Sequence, residues 1–377
     1  VGCGPFYMPV IINGLRLCGE VTRAFSGSFQ IKPMIQDVLL SAQDAEMPWY
    51  PSGTFAFPIQ DYRWGACNFL NAWLGFHDTA QKQMYYHYGV DFGGMAPDKM
   101  PLAAMFDGKV TDNGWGFRIR NDELGLVIRY GHMVDEFLRK DLGPGSIIQQ
   151  NETFGFLGNV GAKKSPHVHI DMLYTSDPSR NINCFPMIVQ AHLEQYDEPI
   201  AFPGHKRHCM EGGTVELDGS LSVAPEGQKI VSYQWEFSDG TTVNKPKVQR
   251  QYDKKGGYSE QLTVVTDTGK RATSYVMVFV YPERDAVDAP YAPSLSHFPV
   301  RGLRAGQPVT IRYFGDNVDR NMSLDYGDGS SVTIQSRGSG SLTHIYKKAG
   351  TYTVTYRGEG PGGIGTFKRQ IKVGNAS

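Results

Sequence analysis

Trp235-Glu236-Phe237-Ser238-Asp239-Gly240 and Leu324-Asp325-Tyr326-Gly327-Asp328-Gly329 are two copies of one pattern: apolar and acidic residues in alternation, then an Asp-Gly turn. The likeness continues downstream. Gln251-Tyr252 with Gly256-Gly257-Tyr258 follows the first copy, and Ile345-Tyr346 with Gly350-Thr351-Tyr352 follows the second. A repeat of this length means tandem domains. Around each copy, Thr, Ser, Val, Gly and Tyr dominate. Apolar residues alternate with single charges at 215–217, 229–237, 259–266 and 274–281, and again at 308–313, 321–326, 331–334, 350–356 and 367–373. That period of two predicts half-buried strands and two immunoglobulin-like β-sandwiches, at 206–285 and 290–377. Asp288-Ala289-Pro290-Tyr291-Ala292-Pro293 reads as a semi-rigid linker between them.

Composition extends the β reading to the whole chain. Its 377 residues are long for one core and suit two to four domains. Gly (44), Pro (22), Tyr (20) and Phe (20) are plentiful, which favours short strands and turns. A formal net charge of −1 gives no reason to expect a nucleic-acid partner. No apolar run approaches the ~18–20 residues that cross a bilayer, so no transmembrane segment is expected. The longest apolar run, 275–281, reads as a buried strand. None of the five cysteines, Cys3, Cys18, Cys67, Cys184 and Cys209, stands in a CxxC pair, which argues against a thiolate zinc knuckle. Two readings stand: disulfides Cys3–Cys18 and Cys184–Cys209 in an exported protein, or five buried thiols.

Residues 1–80 read as a small β-rich region, in which 66–76 fits a short helix or a buried strand equally. Residues 81–205 hold β-type segments at 102–106, 117–120, 125–130, 154–157 and 167–174, separated by turn signals such as Asp107-Gly108 and Pro144-Gly145. An antiparallel, all-β domain is expected there, closed by a short helix at 188–196.

This same region carries a constellation of histidines. His87-Tyr88-Gly89-Val90-Asp91 places an imidazole and a carboxylate at an even spacing, and His167-Val168-His169 does so for two imidazoles. On extended chain an even spacing puts both side chains on one face. Together they offer N and O donors that suit Zn²⁺. Taken singly, each piece is ordinary: a His-x-His pair is more often hydrogen-bonded or surface-exposed than metal-bound, and His132 in Arg129-Tyr130-Gly131-His132-Met133 reads alone as a core or surface histidine. Their order within one β-rich domain is what separates them from chance.

That order resembles the lysostaphin/LytM-type zinc metallopeptidases. Their site opens with HxGxD, here His87 to Asp91, followed by a stretch like Pro101 to Val110. A strand ending in Y-x-H-L follows, here Tyr130-Gly131-His132-Met133, then a glycine-spaced stretch loosely matched between Gly145 and Gly158. The site closes with an HLHFE-like strand, here His167-Val168-His169-Ile170-Asp171. Departures are a compact loop between Val110 and Leu126, Ser165 where a Gly is usual, and Gln149-Gln150-Asn151 in the second glycine-lined turn. The resemblance implies an antiparallel β-sheet peptidase domain with Zn²⁺ held by His87, Asp91 and His169. A zinc-bound water would be the nucleophile, with His132 and His167 as acid/base and oxyanion stabiliser. Tyr130 is either a further oxyanion donor or a core residue. The 235–240 and 324–329 copies, with His344, Tyr346, Gly350, Tyr352 and Val354, resemble polycystic kidney disease (PKD) domains. In these, Asp325 and Asp328 either touch Ca²⁺ or cap the turn.

The expected activity is therefore a secreted or periplasmic, bacterial zinc metalloendopeptidase acting on a polymeric extracellular substrate: peptidoglycan cross-links or a matrix protein. Two alternatives stand beside it, a metal-dependent polysaccharide lyase reusing the site and a non-catalytic polymer-binding protein. The amino-terminal region either covers the cleft or completes the catalytic fold.

Overall fold

In a computed structural model the described residues are 7–12, 15–20, 50–60, 68–71, 75–78, 84–87, 89–93, 100–111, 116–158, 167–177, 181–182, 184–204, 207–220, 222–282, 294–314, 320–335, 340–360 and 362–376. Nearly all regular structure is strand, as the alternation predicted. Leu126–Gly131 buries every second residue from Leu126 to Tyr130, and Gly363–Val373 buries Gly365, Phe367, Arg369, Ile371 and Val373. These are the marks of strands with one face on a core.

The first large sheet runs in the order Ile147–Ile148, Gly108–Val110, Phe117–Asn121, Leu126–Gly131, His167–Tyr174, Val90–Gly93 and Asn68–Asn71. All pairings along this path are antiparallel. The 66–76 segment resolves in favour of strand, as Asn68–Asn71 and Gly75–Asp78. The closing helix spans Phe185–Tyr196, starting with a Pro in its first turn and ending at Asp197, whose φ is 46°. Segment 50–60 packs between helix and sheet. Phe55, Phe57 and Ile59 join the core with Phe92, Leu102, Phe117, Ile128 and Ile170, and the Tyr196 hydroxyl donates to Ile59 O at 3.2 Å.

Two further cores lie C-terminal. One gathers Trp235, Leu262, Val264, Val276 and Val278, the other Leu295, Val309, Leu324, Tyr346 and Tyr356. Their sheets share strands in one path, and two of its pairings are parallel rather than antiparallel: Arg207–Met210 with Arg271–Tyr281, and Gly256–Thr266 with Gly363–Val373. In both repeats the second turn aspartate caps its own turn. Asp239 Oδ1 accepts from Thr241 N at 3.0 Å, and Asp328 Oδ1 from Ser330 N at 3.0 Å; Asp325 Oδ1 accepts from Gly327 N at 2.7 Å. Turn capping thus accounts for Asp325 and Asp328.

The suggested Cys184–Cys209 disulfide is not formed. Cys184 is buried below the first sheet, donates to Ile170 O, and its thiol is pushed up by that burial. Cys3, Cys18 and Cys67 lie outside the residues whose side chains are described. Among the described residues, no helix is long and apolar enough to cross a membrane.

Candidate metal centre

Strand register builds the site. His169 stands directly opposite Asp91 on one side and Gly131 on the other, while Arg129 stands opposite Asp171. Cross-strand partners in an antiparallel pair are within side-chain reach. The alternation of His167–Tyr174 puts His167, His169 and Asp171 on one face. That face is enclosed: Asp91 is 1% exposed, Asp171 0% and His169 8%.

His169 is gripped at both ends. Its Nδ1 lies 2.8 Å from Asp91 Oδ1, and its Nε2 lies 3.2 Å from Asp171 Oδ2. Arg129 holds the same Asp171 oxygen through Nε at 3.0 Å and Nη2 at 2.5 Å. Burial draws the pKa of His169 down, but the hydrogen bonds to Asp171 and Asp91 more than restore it, and the ring is pushed up to about 9.

A neutral imidazole between two carboxylates leaves one carboxylate facing a lone pair. The arrangement therefore calls for a positive charge at Nδ1, either a second ring proton or a metal cation. Nε2–H donating to Asp171 frees Nδ1 as the ligand, the carboxylate–histidine–metal relay typical of zinc sites.

His167 Nε2 lies 3.6 Å from Asp91 Oδ2, so both rings of the His-x-His pair face one carboxylate. Donors at 2.0–2.2 Å around tetrahedral zinc are roughly 3.3–3.6 Å from one another. Asp91 and His169, the assigned donors whose side chains are described, lie 2.8 Å apart, about half an ångström inside that range. Asp91 and His169 are O and N donors of the kind zinc takes, and among the described residues no group of three such donors is arranged to hold a metal.

His132 completes the group. It follows the Leu126–Gly131 strand with φ 60°, a left-handed turn uncommon outside Gly. Its ring meets His167 edge-on at 4.4 Å between centroids, and His169 at 6.3 Å. His132 and His167 are less buried than His169, so they form the open side of the site. Gly89 is needed for close approach: a Cβ there would lie 2.6 Å from His169 Cε1 and Nε2. This gives the glycine of HxGxD a physical reason.

Of the five residues expected at the site, Asp91, His132, His167 and His169 come together. His87 ends the strand Met84–His87, and its side chain lies outside the described residues. Tyr130 takes the core role. It is fully buried, accepts from Met105 N at 3.0 Å and donates to Ala103 O at 3.2 Å. Sequence reading missed Asp171 as a partner of His169, and Arg129 as the partner of Asp171. The signal was present in the even spacing from His169 to Asp171, but pairing with Arg129 required the register.

Comparison with known proteins bears mainly on the C-terminal half. Residues 196–280 and 296–373 each match the PKD domain family, and these are two PKD domains. A microbial collagenase of Vibrio alginolyticus is 30% identical over 94 residues, covering 23% of this chain and 11% of that protein. The chain thus spans only about a tenth of that curated relative.

Two solved structures are also similar. The catalytic domain of lysostaphin from Staphylococcus simulans is 22% identical, covering 27% of this chain and 79% of that one, at a TM-score of 0.24. A zinc-containing peptidase from Vibrio cholerae is 22% identical, covering 34% of this chain and 39% of that one, at 0.26. Scores this low transfer neither fold nor activity, and the site's own residues carry the functional reading.

Proposed function

We propose that this chain is a secreted zinc metalloendopeptidase in which His87, Asp91 and His169 hold the metal and His132 and His167 serve the reacting groups. The observation that carries the reading is the buried Asp91–His169 pair, backed by Asp171, with two imidazoles beside it. Zinc, when bound, supplies Lewis acidity and a water of low pKa.

The chain's own residues do the rest. Asp171, fixed by Arg129, orients the His169 ring and keeps its proton on Nε2. His132 and His167, edge to edge on the open side, are placed to accept a proton from the attacking water and to donate a hydrogen bond to the developing oxyanion. Three protein donors leave a position open to substrate, the pattern of a catalytic rather than a structural site.

The substrate is a polymer outside the cytoplasm, either peptidoglycan cross-links or an extracellular protein. The two PKD domains and the stretch shared with a collagenase support that class.

The zinc-loaded full chain should be incubated separately with peptidoglycan, a Gly-rich protein and an anionic polysaccharide, and the products read by mass spectrometry. New amino termini are expected from one of the first two; unsaturated sugars alone would make it a lyase, and no change in any would make it a binder. His169→Ala should lose metal and turnover together. His132→Ala should retain zinc by elemental analysis while turnover drops by about 10²–10⁴. Full zinc and full activity in both variants would end the assignment.

A further inference from the structure

The two PKD domains meet edge to edge and leave a groove that the peptidase reading does not use. Strands Gly256–Thr266 and Gly363–Val373 run parallel, paired at Gly256↔Ile364 and Gly257↔Gly365. Only bare backbone fits there. A Cβ on Gly363 would lie 2.5 Å from Lys255 O, and one on Gly256 2.6 Å from Ile364 O. The joint is tied further by Lys368, whose backbone N–H donates to Ser259 Oγ at 3.2 Å and whose Nζ lies 3.7 Å from Glu236. Met277 of the first domain packs into the core of the second. The ladder stops after Gly257, and beyond it lies a groove of ≈ 580 Å³.

Its walls are the sheet faces turned away from the cores. One wall carries Gln261 and Thr263, the other Thr351 and Thr353 with Gln370 and Lys372. Gln234–Glu236 and Arg271–Thr273 extend the first wall. Each is an i, i+2 pair on a strand, so carboxamides and hydroxyls recur at roughly 6.6–6.8 Å. Extended peptide presents its same-facing N–H and C=O groups at that interval. A polyproline helix repeats at about 9.3 Å and falls out of step.

Charge in the lining balances, Glu198 and Glu236 against Arg271 and Lys372, so a strongly charged chain gains nothing. The described lining holds no aromatic ring on which a flat ring could stack. Gln261 adds an independent sign of a ligand. It is 7% exposed, its Nε2 donates to Glu236 at 3.4 Å, and its Oε1 has no hydrogen-bond partner among the described residues. A buried acceptor of this kind is unfavourable until a donor meets it. A backbone N–H lying in the groove is such a donor.

We propose that this groove binds an extended, uncharged segment of polypeptide, holding a protein chain by its backbone away from the metal centre.

Fluorescence anisotropy on the full chain tests it with three labelled probes: a dodecapeptide of alternating Thr and Gln, an oligoproline of equal length, and cellohexaose. The Thr/Gln peptide should bind saturably and better than the other two. Thr351→Trp, at an exposed position on the second wall, and Gln261→Leu should each weaken it about tenfold or more. His169→Ala should leave this binding unchanged, which separates the groove from the fate of the peptidase reading. The proposal is overturned if no probe binds, if the oligoproline or the sugar binds better, or if Thr351→Trp with an unchanged melting temperature binds the peptide as the parent does.

Discussion

At the scale of single residues, the distal nitrogen of His169 matters as much as the one facing Asp91. Asp171 has no exposed surface and divides one oxygen between His169 and Arg129, so its charge is set against two donors at once. Asp171→Asn keeps the shape but removes the anion that fixes the ring's proton and its orientation. We expect zinc affinity to fall about 10–100-fold, measured by competition with a chromophoric chelator. Affinity equal to the parent's would deny Asp171 its positioning role. Arg129 keeps 22% of its side chain exposed and turns partly to water in this variant, so the fold should lose less than the ~3–5 kcal/mol of breaking a fully buried pair. The identities of His132, His167, His169 and Asp91 were legible because even spacing and order along the chain are sequence properties. Arg129 was not, because nothing in its own neighbourhood tells which strand will lie beside it.

At the scale of elements, period-2 alternation located the strands well and their ends less so. The 102–106 segment is strand only at Pro101–Ala103, whereas 367–373 lengthens to Gly363–Val373. The reason is pairing: a strand lasts as long as a neighbour meets its backbone groups, and hydrophobic pattern reports only one face. The joint between the two PKD domains illustrates this, since Gly363 and Gly256 look like ordinary turn glycines in sequence. Gly363 has φ 106°, and its missing Cβ lets two strands from different domains meet. Gly363→Ala adds a methyl against the Lys255 carbonyl in a conformation L-residues rarely adopt. A loss of about 1–3 kcal/mol is expected in chemical denaturation, with faster hydrogen exchange at Gly256 and Gly257. An unchanged exchange rate there would mean that the parallel pairing is absent in solution.

At the scale of the molecule, the three cores interlock. Val300, from the second PKD domain, lies in the core beneath the first large sheet, and Met277 of the first PKD domain lies in the core of the second. Arg301 stacks over Tyr196 at 3.9 Å and reaches Glu198 at 3.3 Å. His192 sits at this seam, fully buried against Phe57 and Tyr196, with ring centroids 5.1 and 5.0 Å away. Burial, and then the charge of Arg301, lower its pKa from 6.5 to about 3. The unfolded chain therefore binds this proton more readily, so the stabilisation is complete above pH 6.5 and is lost as pH falls from 6.5 towards 3. At pH 5 the loss is about 2 kcal/mol. Thermal melts of the parent and of His192→Phe should diverge between pH 7 and pH 5, the parent losing more; parallel curves would show that His192 is not held neutral.

Sequence alone determined the period of the strands, the tandem repeat and the order of the histidines and carboxylate proposed to hold a divalent cation, because each depends on residues near one another in the chain or on their order. Tertiary structure decided which nitrogen of His169 faces which carboxylate, that Tyr130 belongs to the core, and that two sandwiches share a strand pairing and enclose a groove. Those outcomes depend on the register between strands far apart in the chain and on where two backbones come close enough to exclude a methyl group, and a local pattern does not encode either.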